Sequence, residues 1–461
     1  MSQKLKVYAP FDQTLIKEIP MVGNEEADKA LQIAHDLFLS RDKWIPAYKR
    51  KTILEKVATL MQDRLKELTE TAAQEGGKPY KDSKVEVLRA INGVKIASEE
   101  ISQLKGEQVP MGLTEASVDR LAFTIREPIG VVLSISAFNH PLNLIVHQTI
   151  TAFAAGCPVI IKPAGTTPLS CLAFMDILKE AGLPAGWVQS IICDNEVAEF
   201  MVKDKRVNYL SFIGSAKVGW YLKSKVAPGT RVALEHGGVA PVIVEKDADL
   251  DKALPLLAKG GFYHAGQVCV SVQRIFVHEE IADKVSNRLA DLAAELVVGD
   301  PLDPDTEVGP LISTDEVDRV HEWVKDSEGK GGKILVGGQK ISDTCYAPTV
   351  MFDPPQGAKL SQEEVFGPVV CIYPYTDLQE AIRLSNDMEY HFQAAVFTKN
   401  LDKALECVDK LNATAVMVND HTAFRVDWMP FGGRDASGEG LGGIPYSMHE
   451  MTRIKMMVFK R

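Results

Sequence analysis

The chain has 461 residues, 46% of them hydrophobic and 25% charged, with a formal net charge of −11. This length exceeds one ordinary hydrophobic core and the composition is that of a globular protein, so a disordered chain is excluded and two domains or more are expected. The acidic excess works against a nucleic-acid or anionic-membrane surface, which needs a basic field, yet a local arginine could still receive a small anionic substrate.

Met1 to Pro10 carries Lys4 and Lys6 but no apolar run, so no signal peptide is expected. The most apolar stretch, Val131 to Ile161, is interrupted by Asn139, His140, Pro141, Asn143, His147 and Gln148. It falls short of the roughly 18 unbroken apolar residues of a membrane span. Seven cysteines at irregular spacing, without a Cys-x-x-Cys pair, imply neither a disulfide frame nor a zinc site. The expectation is a metal-free protein of a reducing, cytoplasmic compartment.

In chain order, Ala27, Ala30, Leu31, Ala34, Leu37 and Phe38 recur at helical spacing, and Lys51 to Thr71 repeats that period. From Val131 the pattern changes to short apolar runs alternating with helices. Val131–Ser134 and Val159–Ile161 read as buried strands. Thr167-Pro168 opens a helix, with a cap residue before a first-turn proline, and Gly182 with Pro184 closes it. Tyr209–Ile213 is a further strand leading into Gly214-Ser215 and a helix. A second set follows residue 269: strand Arg274–Val277, helix Glu280–Leu296, strand Lys333–Val336, strand Ala394–Phe397, helix Leu401–Leu411 and strand Ala415–Val418. This βαβ rhythm predicts an α/β fold of two parallel-sheet domains, meeting between residues 235 and 269. A cleft is expected at that junction.

Leu234-Glu235-His236-Gly237-Gly238 and Gly266-Gln267-Val268-Cys269-Val270 flank the junction. They offer a carboxylate beside two glycines and a thiol in a turn of small residues. A thiol attacks as thiolate and is mostly protonated at its free pKa of roughly 8.5, so it needs an activating neighbour. A carboxylate can activate the thiol, or the water that later releases a thioester. Gly214-Ser215-Ala216-Lys217-Val218-Gly219, between a strand and a helix, is either a pyrophosphate cradle or a plain turn. Lys162 leaves a buried strand end, where open α/β sheets place ligands; it can bond ribose hydroxyls or stay solvated. In Ala137-Phe138-Asn139-His140-Pro141 the amide is a turn former or an oxyanion donor. Gln362-Glu363-Glu364-Val365-Phe366-Gly367-Pro368 is locally no more than a charged strand start before a turn.

Taken in order, Asn139, Lys162, Gly214-Ser215, Glu235, Cys269, Glu364 and Phe366, with Pro430-Phe431-Gly432-Gly433 and Ser437-Gly438, resemble the aldehyde dehydrogenase superfamily over nearly the whole chain. The resemblance implies a nucleotide-binding Rossmann-like domain (1–109 and 128–235), a catalytic Rossmann-like domain (236–440) and a β oligomerisation arm (110–127 and 441–461). It implies that Cys269 is the nucleophile and Glu235 the deacylation base, while Asn139 and the Cys269 backbone N–H form the oxyanion hole. Lys162 and Gly165 would meet the adenosine ribose, Gly214 and Ser215 the pyrophosphate, and Glu364 and Phe366 the nicotinamide riboside. The implied reaction oxidises an aldehyde to a carboxylate with NAD or NADP, in a homodimer or homotetramer.

Four positions depart from the family pattern. His236 replaces an apolar residue, Val268 a polar or basic one, and His140 an aromatic. Gly165 stands where NAD-preferring members often carry a glutamate, which leaves NADP open. His421 to Met429 matches the loop lining the substrate tunnel, and Phe424-Arg425-Val426-Asp427 is similar to the lactaldehyde and non-phosphorylating glyceraldehyde-phosphate dehydrogenase branch. There Arg425 would grip an anionic tail, with Phe138 also lining the substrate site, unless Arg425 is clamped to Asp427 or to backbone. The alternatives to a hydrolytic enzyme are a CoA-acylating relative, against which Glu235 argues, and a catalytically silent structural member, against which Cys269, Asn139 and Glu235 argue.

Overall fold

The computed structural model describes residues 3–461, so the first two residues of the segment 1–109 lie outside it. Two mostly parallel sheets organise the chain. The first has six strands in the order Gly438–Glu439, Arg231–Glu235, Val207–Ile213, Val131–Ile135, Val159–Lys162 and Val188–Ser190. The second has seven, in the order Lys333–Val336, Thr349–Phe352, Val369–Tyr375, Arg274–His278, Pro241–Val244, Gln393–Phe397 and Ala415–Val418. One edge strand of each sheet runs antiparallel, Gly438–Glu439 in the first and Lys333–Val336 in the second. Central strands such as Val131–Ile135 are buried on both faces, which is why they read as continuous apolar runs rather than alternating ones.

The predicted strands and helices recur with small shifts at their ends, with one exception. The helix read over Lys51 to Thr71 is two helices, Ala47–Asp63 and Leu65–Gly76. The chain turns at Arg64, which has φ −102° and ψ 20° and pairs with Glu180. Leu54, Val57 and Met61 on one side of the turn, and Leu68 and Ala72 on the other, are all completely buried. Periodicity cannot register such a break, because both halves keep the same period. The helix Asn143–Ala155 is buried on every face. It carries no amphipathic stripe, and its N-terminus meets the Glu86 carboxylate, which accepts from the N–H groups of Leu142 (2.9 Å) and Asn143 (3.0 Å). Glu75 does the same for the helix Leu169–Glu180 through Leu169 and Ser170.

The segments expected to follow domain lines are interleaved at the C-terminus. Gly438 pairs with Glu235, so part of 236–440 completes the first sheet. The segment 441–461 divides. Its helix Ile444–Glu450 buries Ile444 and Met448 in the core beside Val94 and Val146, and only the strand Thr452–Lys460 joins Arg120–Pro128 and Gln108–Val109 in a separate three-stranded sheet. The physical reason is apolar: Ile444 and Met448 are fully buried, whereas the strand beyond them is exposed almost throughout. No helix among the described residues is long and apolar enough to cross a membrane.

Candidate active site

Strand order in the first sheet reverses beside Val131–Ile135, and the loops leaving the ends of its strands open into a cleft of about 730 Å³ against the second sheet. Phe138, Asn139, Gly214, Ser215, Glu235, Cys269, Glu364, Phe366 and Arg425 all line it. Lys162 and Gly165 lie outside that lining, further along the same edge of the first sheet.

Cys269 is brought to the cleft by an unusual backbone. His264, Ala265 and Gly266 are successively left-handed, with φ of 49°, 53° and 71°. At Gly266 a Cβ would lie 2.0 Å from the Gly367 carbonyl oxygen, so glycine is required. Gln267, fully enclosed, donates to the Pro310 carbonyl (3.2 Å) and accepts from the Ile312 N–H (2.9 Å), which pins the turn. The Asn139 amide donates to the Gln267 carbonyl at 2.9 Å, so the loop of the first sheet is tied to the cysteine turn, and one amide N–H of Asn139 remains for a ligand. Burial pushes the Cys269 thiol up to about 12, opposed chiefly by the Arg425 charge.

Glu235 ends its strand against Gly442, where a Cβ would stand 2.3 Å from the Glu235 Oε1. Burial raises its pKa and Arg425 lowers it. Glu364 lies across Gly237, where a Cβ would meet its Oε1 at 1.7 Å. That oxygen is buried without a hydrogen-bond partner, and burial holds the carboxyl at about 8. Phe366, itself at φ 47°, meets Phe138 edge to face at 5.7 Å.

Three further groups stand at the ends of these strands and loops with the chemistry to hold a dinucleotide. Ser215 precedes the helix Ala216–Lys223 at the end of Val207–Ile213, Lys162 is buried two strands away with its pKa lowered by burial, and the orphaned Glu364 oxygen offers an acceptor. Gly165 sits on an exposed loop where a Cβ would approach only Leu5, at 3.9 Å.

The departures from the family pattern are absorbed by packing. His236 stands under Gly219, where a Cβ would be 1.9 Å from its Nε2, and its Nδ1 donates to the Ala436 carbonyl at 3.0 Å. Val268 joins Val270, Phe392 and Phe431 in an apolar cluster. The His140 ring lies 6.2 Å from that of Tyr263.

The clamp between Arg425 and Asp427 does not form. Asp427 accepts from Arg89 through Nη2 (2.8 Å) and Nε (3.2 Å), from His147 Nε2 (2.8 Å) and from Asn143 Nδ2 (3.3 Å). Burial alone would raise its pKa, but the His147 hydrogen bond and the Arg89 and Arg425 charges hold the carboxyl well below the usual range. Arg425 instead lies over the Phe431 ring, 3.5 Å from its centroid, with its Nε buried and unpartnered. Among the described residues it makes no ion pair. Arg89 and His147 were not singled out in the sequence; only their distance of some hundreds of positions from Asp427 hid them, and no local pattern could have joined them.

The aldehyde dehydrogenase family profile matches residues 1–457. The chain is 39% identical over 458 residues to the 3-sulfolactaldehyde dehydrogenase of Priestia aryabhattai, covering 99% of this chain and 95% of the relative. It is 38% identical over 464 residues to the lactaldehyde dehydrogenase of Methanocaldococcus jannaschii, covering 100% and 98%. Among solved structures, glyceraldehyde-3-phosphate dehydrogenase GapN from Methanocaldococcus jannaschii, complexed with NADP, superimposes with a TM-score of 0.95 at 37% identity and full coverage of both chains. With the profile spanning both sheets and the cleft between them, the chain belongs to the aldehyde dehydrogenase family.

Proposed function

We propose that this enzyme oxidises a short hydroxylated or anionic aldehyde to its carboxylate with NAD or NADP. The observation that carries the substrate class is Arg425: a guanidinium on the wall shared with Cys269 and Glu235, with no carboxylate engaged to it. The named activities of the relatives, on sulfolactaldehyde, lactaldehyde and glyceraldehyde 3-phosphate, support the same class.

In this reading the Cys269 Sγ attacks the carbonyl carbon, and the charge that gathers on oxygen is met by the free Asn139 N–H and the Cys269 backbone N–H. Arg425 favours the thiolate that burial otherwise disfavours. A nicotinamide held by Lys162, Ser215, Glu364 and Phe366 would supply the hydride acceptor for this oxidation, while Cys269 Sγ keeps the acyl group as a thioester. Glu235 then takes a proton from water; the hydroxide adds to the thioester carbon, and the C–S bond breaks to return the thiolate and release the carboxylate. Lys162, Ser215, Glu364 and Phe366 orient the dinucleotide, and the open loop at Gly165 tolerates a 2′-phosphate. The enzyme would assemble as a homodimer or homotetramer through the three-stranded arm, whose outer strand exposes Ile454, Met456, Val458 and Phe459.

The test is a panel of short aldehydes assayed with each cofactor, on wild type and Arg425→Ala. A charge-assisted pair contributes about 1.5–3 kcal/mol, so KM for anionic substrates should rise by one to two orders of magnitude while KM for neutral lactaldehyde holds, the weakened thiolate lowering kcat for both alike. An equal change in KM for both classes would remove Arg425 from the substrate site.

A further inference from the structure

Two guanidiniums, those of Arg89 and Arg425, line the substrate end of the cleft, but they are not equivalent. Arg89 is held by Asp427 in a two-point ion pair, and the same carboxylate is anchored by His147 and Asn143. The Arg89 charge is therefore cancelled where it stands. The surrounding charges also cancel in pairs: Lys78 with Glu86 behind Arg89, and Arg319 with Glu316 on the opposite wall. At the mouth, Lys81 pairs with Glu307, and Asp82 lies beside Lys259. Burial keeps Glu364 and Glu235 towards their neutral forms and the His140 ring uncharged. Arg425 alone of these cations has no hydrogen-bonded acid partner; the carboxylate that opposes it most is Glu235, whose ionisation burial disfavours.

Resting on the reading that Arg425 receives the substrate tail, we infer that the site is matched to a tail bearing a single negative charge, a sulfonate or carboxylate, and that the Arg89–Asp427 pair is the specificity-determining device that rejects a dianionic phosphate. A second negative charge brought beside Arg425 would find no further cation free of an acidic neighbour, and an unpaired charge withdrawn from water is strongly disfavoured. Asp427 itself touches no substrate; it acts by engaging Arg89.

The wild-type enzyme offers the first test. A phosphate monoester loses its second proton near pH 6, whereas a sulfonate stays singly charged. The ratio of kcat/KM for glyceraldehyde 3-phosphate to that for 3-sulfolactaldehyde should fall by about twentyfold between pH 5.5 and 7.5, following the monoanionic fraction of the phosphate. The sulfonate substrate reports any titration of the enzyme's own groups. In Asp427→Asn the Arg89 charge is released, and the ratio at pH 7.5 should rise at least tenfold over wild type. A ratio independent of pH in the wild type, or an Asp427→Asn variant that changes both substrates by one factor, overturns the inference. The Arg425→Ala comparison with neutral lactaldehyde separates the two levels. If it leaves KM for lactaldehyde unchanged and raises KM for the anionic substrates while the ratio stays flat, the anionic reading stands and the monoanion rule alone fails.

Discussion

Two carboxylates in the cleft have raised pKa values for the same reason, and they give different predictions. Burial pushes the Glu364 carboxyl up to about 8 in the folded protein, against an ordinary 4.5 in the unfolded chain. Between those values the folded state keeps a proton that the unfolded state has released, so folding stability falls as pH rises through that window and levels off above it. Glu364→Gln, neutral at every pH, should therefore melt closer to wild type at pH 5 and increasingly above it towards pH 9 in the cofactor-free enzyme; parallel melting curves across that range would contradict the burial argument. Glu235 is also raised by burial, but its proposed work is proton abstraction, so the deacylation rate should climb with pH through that raised pKa. In Glu235→Gln, stopped-flow mixing should record a burst of reduced cofactor followed by a steady rate slower by two orders of magnitude or more. No burst and an unchanged steady rate would assign the base to another group.

At the scale of elements, the helix Asn143–Ala155 depends on a carboxylate from another helix. Glu86 is paired with Lys78, both fully enclosed, while its other oxygen caps the buried helix N-terminus. Glu86→Gln keeps the acceptor for the cap but strands the Lys78 charge, which costs about 3–5 kcal/mol when a buried pair is broken. A large drop in the denaturant midpoint is expected, and Lys78→Met introduced into Glu86→Gln should recover much of it. If the double variant is no more stable than the single one, the cap rather than the charge pair carries the stability. Such a device is invisible in a linear pattern. Val159–Lys162 was legible from its apolar run, whereas Asn143–Ala155, apolar all round, offered no period to read.

For the whole molecule, the arm is the feature least explained by a single chain. Thr452–Lys460 pairs with Arg120–Pro128 along its full length on one edge and presents exposed apolar side chains and an open edge on the other. On the proposed assembly through this strand, replacing Ile454, Met456 and Val458 by lysine should shift sedimentation velocity towards the monomer while leaving the fold of the two sheets intact by circular dichroism. An unchanged sedimentation coefficient would place the subunit contact elsewhere.

The sequence by itself determined the βαβ rhythm, the strand ends that carry Gly214-Ser215 and Glu235, and the ordered set of residues that resembles the family, because these are properties of neighbours in the chain. It could name Arg425 as a charge near the substrate but could not say whether Asp427 neutralised it. Tertiary structure decided that, by bringing Arg89, Asn143 and His147 to Asp427 from 338, 284 and 280 positions away. It likewise decided the left-handed turn that carries Cys269, where the Gly367 carbonyl closes over Gly266 and leaves no room for a Cβ. Charge balance in a buried site depends on which groups meet in space, and sequence separation carries no record of that.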